Sequence, residues 1–271
     1  MASGSTKQPF QVAVDGPAAS GKSSTAQAVA SRLNLTYIDT GALYRALTLK
    51  ARAWNLDPER DALAIAKLAK QTKFAFRTAE ETMTVAGVEI PKTIVYLDGK
   101  DVSKQIRLPS LTKTVAPFAN IPEVRDVLKG KALALAAGED GGLPEDGKQI
   151  ESEPQTLGVI MDGRDIATNV LSNAQVKIFL EGDPTVRAKR RLEDLRQAHK
   201  DVPSLDDVVA DIRNRDLADT KRAVDPLVKA EDAVVLDTSE LTLQEQIDAV
   251  ADIARKSMLA HGIPADKISS I

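Results

Sequence analysis

The sequence predicts an α/β fold: a five-stranded parallel sheet flanked by helices. Three observations lead there. Five short apolar runs, at residues 12–15, 36–39, 159–162, 176–180 and 234–237, have the length and β-branched content of buried parallel strands. The stretches around them carry apolar residues at helical spacing, as in 24–33, 61–70, 122–135 and 243–259. Hydrophobic residues make up 43% of the chain but aromatics only 3%, so the core must be built from Leu, Val, Ile and Ala, which suits helices packed on a sheet. A length of 271 residues accommodates one large α/β domain, or one domain with an inserted lobe.

The first strand, Gln11-Val12-Ala13-Val14-Asp15, runs directly into Gly16-Pro17-Ala18-Ala19-Ser20-Gly21-Lys22-Ser23-Ser24. This segment satisfies every fixed position of the pattern G-x-x-x-x-G-K-S/T. Such a loop directs successive backbone N–H groups, a helix N-terminus and a lysine at one anion. Helix formers follow at 24–33 (STAQAVASRL), so the setting is strand, loop, helix, which an ordinary glycine-rich turn does not require. The loop implies a bound nucleoside triphosphate. It leaves open what the phosphate is used for.

Four of the five strands end in aspartate: Asp15, Asp39, Asp162 and Asp237. Carboxylates at the C-terminal ends of parallel strands face the ligand crevice, although each also suits a helix N-cap. The third strand continues as Asp162-Gly163-Arg164-Asp165. Asp162 and the loop hydroxyl of Ser23 form the expected pair for Mg²⁺. Arg164 and Asp165 together offer donors and acceptors to a base or sugar, or else form a surface pair. The second strand opens Asp39-Thr40-Gly41-Ala42-Leu43-Tyr44-Arg45, a hydroxyl and an arginine at a helix start, hence a second anion or polar site.

Arginines concentrate near the fourth strand. Arg187, Lys189, Arg190 and Arg191 lie on one predicted helix; Arg215, Asp219 and Arg222, spaced by four and three, share a face of the next. A short connector with Pro203 joins them. Two arginine-bearing helices over about residues 187–222 can close as a lid on a polyphosphate, supplying positive charge and excluding water. Lys189 and Arg196 fit a plain solvated face equally well.

The expected organisation is a core of residues 10–73 plus 122–258, interrupted by a lobe at 74–121. Its strands are expected at 74–77, 83–85 and 93–97, with turns at Ala86-Gly87 and Asp98-Gly99. Residues 138–156, rich in Gly, Pro and acids, read as a flexible insertion, and 1–9 and 260–271 as tails. The absence of cysteine excludes thiolate chemistry and disulfides, and two distant histidines, His199 and His261, do not suggest a metal site. A net charge of −3 provides no field for nucleic acid. No run has the length of a membrane span, and the N-terminus has no apolar signal core, so a cytoplasmic monomer binding only small molecules is expected.

Taken together these residues resemble the bacterial cytidylate kinases, P-loop nucleoside monophosphate kinases of adenylate-kinase-like fold. The resemblance rests on VAVDGPAASGKSSTA (12–26), YIDTGALYRAL (37–47), LDGKDVSKQIR (97–107), PEVRDVL (122–128), MDGRDIAT (161–168), VKIFLEGDPTVRAKRR (176–191), RNRDLADTKRAVDPL (213–227) and VVLDTSELTLQEQI (234–247), in order, over most of residues 10–258. DTGALYR with DGRDI is far more specific than the glycine loop. The resemblance implies transfer of a phosphoryl group from ATP, with Mg²⁺, to CMP or dCMP. It implies that residues 16–24 hold ATP, that Lys22, Arg187, Arg191 and Arg215 are catalytic, and that Ser23 and Asp162 contact the metal. Thr40, Arg45, Arg125, Arg164, Asp165, Arg215, Asp219 and Arg222 match positions that bind CMP, and the inserted lobe helps recognise the pyrimidine. One departure is Ala116, where the family has a serine nine residues before the arginine matched by Arg125: a contact to the base is either lost or passed to Thr114, leaving the order of CMP, dCMP and UMP open. The insertion at 138–156 is the other. A small-molecule kinase of shikimate or gluconate type would share the loop but lack the lobe and DTGALYR. A nucleotide-binding switch would share the loop but need no second nucleotide site.

Overall fold

The computed structural model describes residues 9–139, 156–198 and 202–268. The expected insertion at 138–156 therefore lies almost wholly outside the described residues. In chain order the elements are β1 (Phe10–Asp15), α1 (Lys22–Arg32), β2 (Thr36–Asp39), α2 (Thr40–Ala53), α3 (Ala62–Gln71), β3 (Phe74–Val85), β4 (Val88–Leu97) and β5 (Lys100–Asp101). Two short helices, α4 (Pro109–Thr112) and α5 (Val115–Ala119), precede α6 (Pro122–Ala136). Then follow β6 (Gly158–Gly163), β7 (Val176–Glu181), α7 (Pro184–Ala198), α8 (Leu205–Lys221), β8 (Val234–Asp237) and α9 (Leu243–Ala260).

The five expected strands form one parallel sheet in the order β2-β6-β1-β7-β8. β1 lies between β6 and β7; the chain passes from β1 to β2 on one side and later from β6 across β1 to β7 on the other, so the crevice opens at the carboxyl ends of β1 and β6, where the direction of winding reverses. Side chains alternate between the two faces. Ala13, Ile38, Val159 and Met161 join the core built with α2, α3 and α6. Val12, Val14, Ile160 and Ile178 join the core built with α1 and α9. Among the described residues no helix is long and apolar enough to cross a membrane.

The small antiparallel sheet β3-β4-β5 stands apart from the main sheet in hydrogen bonding but not in packing. Phe74, Val95 and Leu97 enter the core beside α2 and α3, whereas Ile90, fully buried, enters the core beside α1. Two strands were expected at 74–77 and 83–85. The structure has one strand, β3, because its pairing with β4 resumes after a register shift between Thr78 and Thr82. The bulge leaves Glu80 and Glu81 in solvent while both flanks keep their ladder. Past β5 the chain rejoins the main core, as Leu111, Phe118 and Ile121 pack in the cluster around α2.

Candidate active site

The glycine loop wraps the N-terminus of α1. Gly21 caps that helix in the left-handed region (φ +82°), and a side chain at Gly16 would put Cβ 2.1 Å from the Leu180 carbonyl oxygen of β7. Only glycine lets β1 turn this close to its neighbour. The loop is held from outside as well. Gln246 of α9, buried, donates to Ser20 O (3.2 Å) and Thr25 Oγ1 (2.6 Å). Lys22 is buried and donates from Nζ to Pro17 O (2.6 Å) and Ser20 Oγ (3.2 Å). Burial, and next the charge of Arg164, hold its pKa well below the usual lysine range.

Beside the loop, Ser23 Oγ donates to Asp162 Oδ2 at 2.8 Å, joining the two residues expected to meet a metal across 139 positions of sequence. The second oxygen, Oδ1, accepts from the Tyr37 hydroxyl at 2.8 Å. No role was expected for Tyr37, although it opens the segment YIDTGALYRAL and stands two residues before Asp39 on β2. Burial, then the Asp39 carboxylate paired opposite it in the sheet, push Asp162 up to about 6, while the Ser23 and Tyr37 hydrogen bonds oppose this. Asp15 is also pushed to about 6 by burial, against the N–H groups of Ala167 and Ile166 that it accepts from (2.7 and 2.9 Å). It thus pins the turn after β6. Asp237 is exposed on the edge strand and accepts from Ser239, so it takes no part in this group.

The other half of the crevice is a cleft lined by Thr40, Tyr44, Arg125, Lys129, Asp165 and Asn169. Arg125, 3% exposed, lies over the Tyr44 ring at 5.6 Å from its centroid. Its guanidinium donates to Asp165 Oδ2 (2.6 Å), Asp225 Oδ2 (2.7 Å) and Ala119 O (3.3 Å). Arg222 lies 3.9 Å from Asp165 Oδ1, and Arg164 Nε donates to Asp219 Oδ2 at 2.6 Å. Thr40 donates its hydroxyl to Asp162 O (2.7 Å), so it braces the strand end as well as lining the cleft. Arg45 pairs with the helix-capping Asp39 (2.7 Å). Its Nε is buried with no hydrogen-bond partner among the described residues.

One placement corrects the sequence reading. Arg222 does not share a helical face with Arg215 and Asp219: α8 ends at Lys221, and Arg222 turns extended (ψ 136°). Its side chain donates to Val224 O at 2.8 Å and to Asp225 O. Asp225 is left-handed (φ +46°) and precedes Pro226, a combination that stops a helix. Arg187, expected in the catalytic group, is 3% exposed and faces the backbone of the glycine loop and Gly182. Its ionic partner is Asp216, which the sequence reading passed over. Arg215 is exposed on α8 with Arg164 and Asp219 as charged neighbours. Thr114 donates to Leu111 O (2.8 Å) and accepts from Arg52 (3.3 Å), and Ala116 is exposed.

Known proteins resemble this chain over most of its length. A family model described as cytidylate kinase matches residues 12–256. A cytidylate kinase of Alkaliphilus oremlandii is 39% identical over 245 residues, covering 90% of this chain and 97% of that protein. One from Desulforamulus reducens is 39% identical over 239 residues, covering 88% of this chain and 94% of its own length. A solved gluconokinase of Sinorhizobium meliloti aligns over 94% of this chain and 99% of that one at 13% identity with a TM-score of 0.35, too loose a likeness to carry an argument. With its glycine loop, its arginine-rich cleft and a family match spanning nearly its whole length, the chain belongs to the cytidylate kinase family.

Proposed function

We propose that this chain catalyses transfer of the γ-phosphoryl group of ATP to the phosphate of CMP or dCMP, giving ADP and CDP or dCDP. An oxygen of the acceptor phosphate attacks the γ-phosphorus, and the bond from that phosphorus to the ADP oxygen breaks. The attacking oxygen is already ionised at neutral pH, so no general base is needed. The task left to the protein is alignment and charge stabilisation.

The observation that carries this reading is the two-sided crevice. On one side lie the loop residues Gly16, Pro17, Ala18, Ala19, Ser20, Gly21, Lys22, Ser23 and Ser24. On the other lie Thr40, Arg45, Arg125, Arg164, Asp165, Asp219 and Arg222. A nucleotide-binding switch has no use for the second side. Lys22 donates to Pro17 O and Ser20 Oγ, weak acceptors that a phosphate oxygen would replace. Arg191 and Arg215 add charge from the lid helices as the transferring group passes between the halves.

Among the described residues no cluster of three or more acidic or histidine side chains could cage a metal. The paired Ser23 hydroxyl and Asp162 carboxylate fit Mg²⁺, which is ordinarily held by one or two protein oxygens with the rest from phosphates and water. Held by these two residues, such an ion would supply positive charge against the ATP phosphates. The protein is read as a cytoplasmic monomer, with the lobe and lid helices closing on the substrates.

The test is steady-state turnover with ATP against CMP, dCMP, UMP and AMP, and against gluconate and shikimate. Turnover with CMP and dCMP well above the rest is expected. Turnover with the hydroxylated acids and none with any pyrimidine monophosphate would replace this reading by the small-molecule kinase.

A further inference from the structure

Ala18, third residue of the glycine loop, has both of its backbone groups taken by two side chains that are far away in sequence. Its N–H donates to Asp216 Oδ1 at 3.0 Å, and its carbonyl accepts from Arg187 Nη1 at 2.8 Å. The two side chains then close on each other, with Arg187 Nη2 2.7 Å from Asp216 Oδ2. Arg187 Nε is fixed in turn by Gly182 O, just past β7, at 2.9 Å. The arginine side chain is 4% exposed and the aspartate 20%, so water screens the pair little. A charge-assisted, planar pair of this kind has little freedom to re-aim.

The loop itself supplies a reason for such a clamp. Ala19, the next residue, is left-handed (φ +57°), a conformation that costs a residue bearing Cβ and persists only where the surroundings hold it. Gln246 grips the loop further along, at Ser20. The Asp216–Arg187 pair grips it on the near side. Asp216 also lies on α8 directly after Arg215 and three residues before Asp219, which pairs with Arg164 beyond β6.

We propose that Asp216 is a positioning residue for ATP. Acting on Ala18 directly and through Arg187, it fixes the shape of the phosphate loop and ties that loop to the helix bearing Arg215 and Asp219. The second part rests on the two-nucleotide reading above; the first needs only that the loop binds ATP.

The variants are Asp216→Ala, which loses both bonds, and Asp216→Asn, which keeps an acceptor for Ala18 but loses the ionic bond to Arg187. ATP and CMP affinities are measured separately by titration calorimetry on the full chain, followed by steady-state kinetics, with thermal melts as a folding control. Asp216→Ala should weaken ATP about tenfold, the scale of a single charge-assisted hydrogen bond because both lost bonds act on ATP only through the loop, and Asp216→Asn less, with CMP affinity measured alone changed under about twofold. A residue that served stability alone would lower the active fraction and the melting temperature but leave both affinities intact. ATP affinity unchanged in both variants, ATP bound more tightly, or CMP affinity falling in step would each overturn the assignment. Should the wild-type protein bind ATP yet ignore CMP, the acceptor reading fails while the role of Asp216 at the loop is still decided by the ATP titration.

Discussion

Asp219→Ala is the sharpest probe of the acceptor half. Asp219 Oδ2 accepts from Arg164 Nε at 2.6 Å, and the two side chains are 25% and 24% exposed. The variant removes the carboxylate proposed to meet the acceptor nucleotide and leaves Arg164 without its ionic partner. A hydrogen bond to a charged group contributes about 1.5–3 kcal/mol, and partial solvent screening places this one near the lower end, at about 1.5–2. At about 1.4 kcal/mol per factor of ten, KM for CMP should rise roughly 10- to 30-fold. In the proposed site ATP is held by the loop, to which Asp219 makes no hydrogen bond among the described residues, and the aspartate acts on Lys22 only as a minor charge. KM for ATP should thus change less than about threefold, a charge effect that falls within the range of weak surface electrostatics. The assay couples ADP and CDP formation to NADH oxidation, varying each substrate at saturation of the other. Equal rises in both KM values, or a fall in kcat with both unchanged, would refute the assignment of Asp219 to the acceptor.

Three further perturbations test other parts of the structure. Lys22→Met should leave the fold intact and lower kcat by about 10²–10³, the usual effect of deleting one preorganised donor at a developing charge; activity within fivefold of wild type would remove Lys22 from the chemistry. Gln27→Ala should destabilise the protein by about 1–3 kcal/mol in urea, since the buried Thr93 Oγ1 and the half-buried Pro91 O (both 2.5 Å) lose their donor, and hydrogen exchange in β4 should quicken first. Asp15 gives a pH signature. Its pKa is about 6 folded against 3.8 as the ordinary value, so the folded state holds the proton longer, and this residue's contribution is greatest below pH 4 and lost as pH rises through 6. Relative to wild type, Asp15→Asn should therefore gain stability between pH 4 and 7, by up to about 3 kcal/mol. A stability difference independent of pH would contradict the burial of this carboxylate.

Much of the architecture is legible locally because periodicity and capping are local properties. The strand–loop–helix unit around residues 11–33 is legible from its own residues, with β-branched side chains, glycines at fixed spacing and helix formers after them, although the reason Gly16 must lack a Cβ, the Leu180 carbonyl of β7, lies far along the chain. Asp39 as cap of α2 follows in the same way, its side chain accepting from Ala42 N three residues on. Local rules fail where two distant segments share a side chain. Tyr37 meets Asp162 across 125 positions only because β2 lies against β6. Asp216 reaches Ala18 across 198 positions, and neither composition nor spacing encodes that pairing. The helical spacing of Arg215, Asp219 and Arg222 was real but carried one residue too far, since the left-handed Asp225 before Pro226 turns Arg222 out of the helix. Strand, loop and helix were thus written in the residue order, being decided by energies between near neighbours. The pairing of the crevice's charges was decided by the sheet order β2-β6-β1-β7-β8, which sets which distant side chains meet out of water, where an ion pair or a hydrogen bond is strong enough to fix a site.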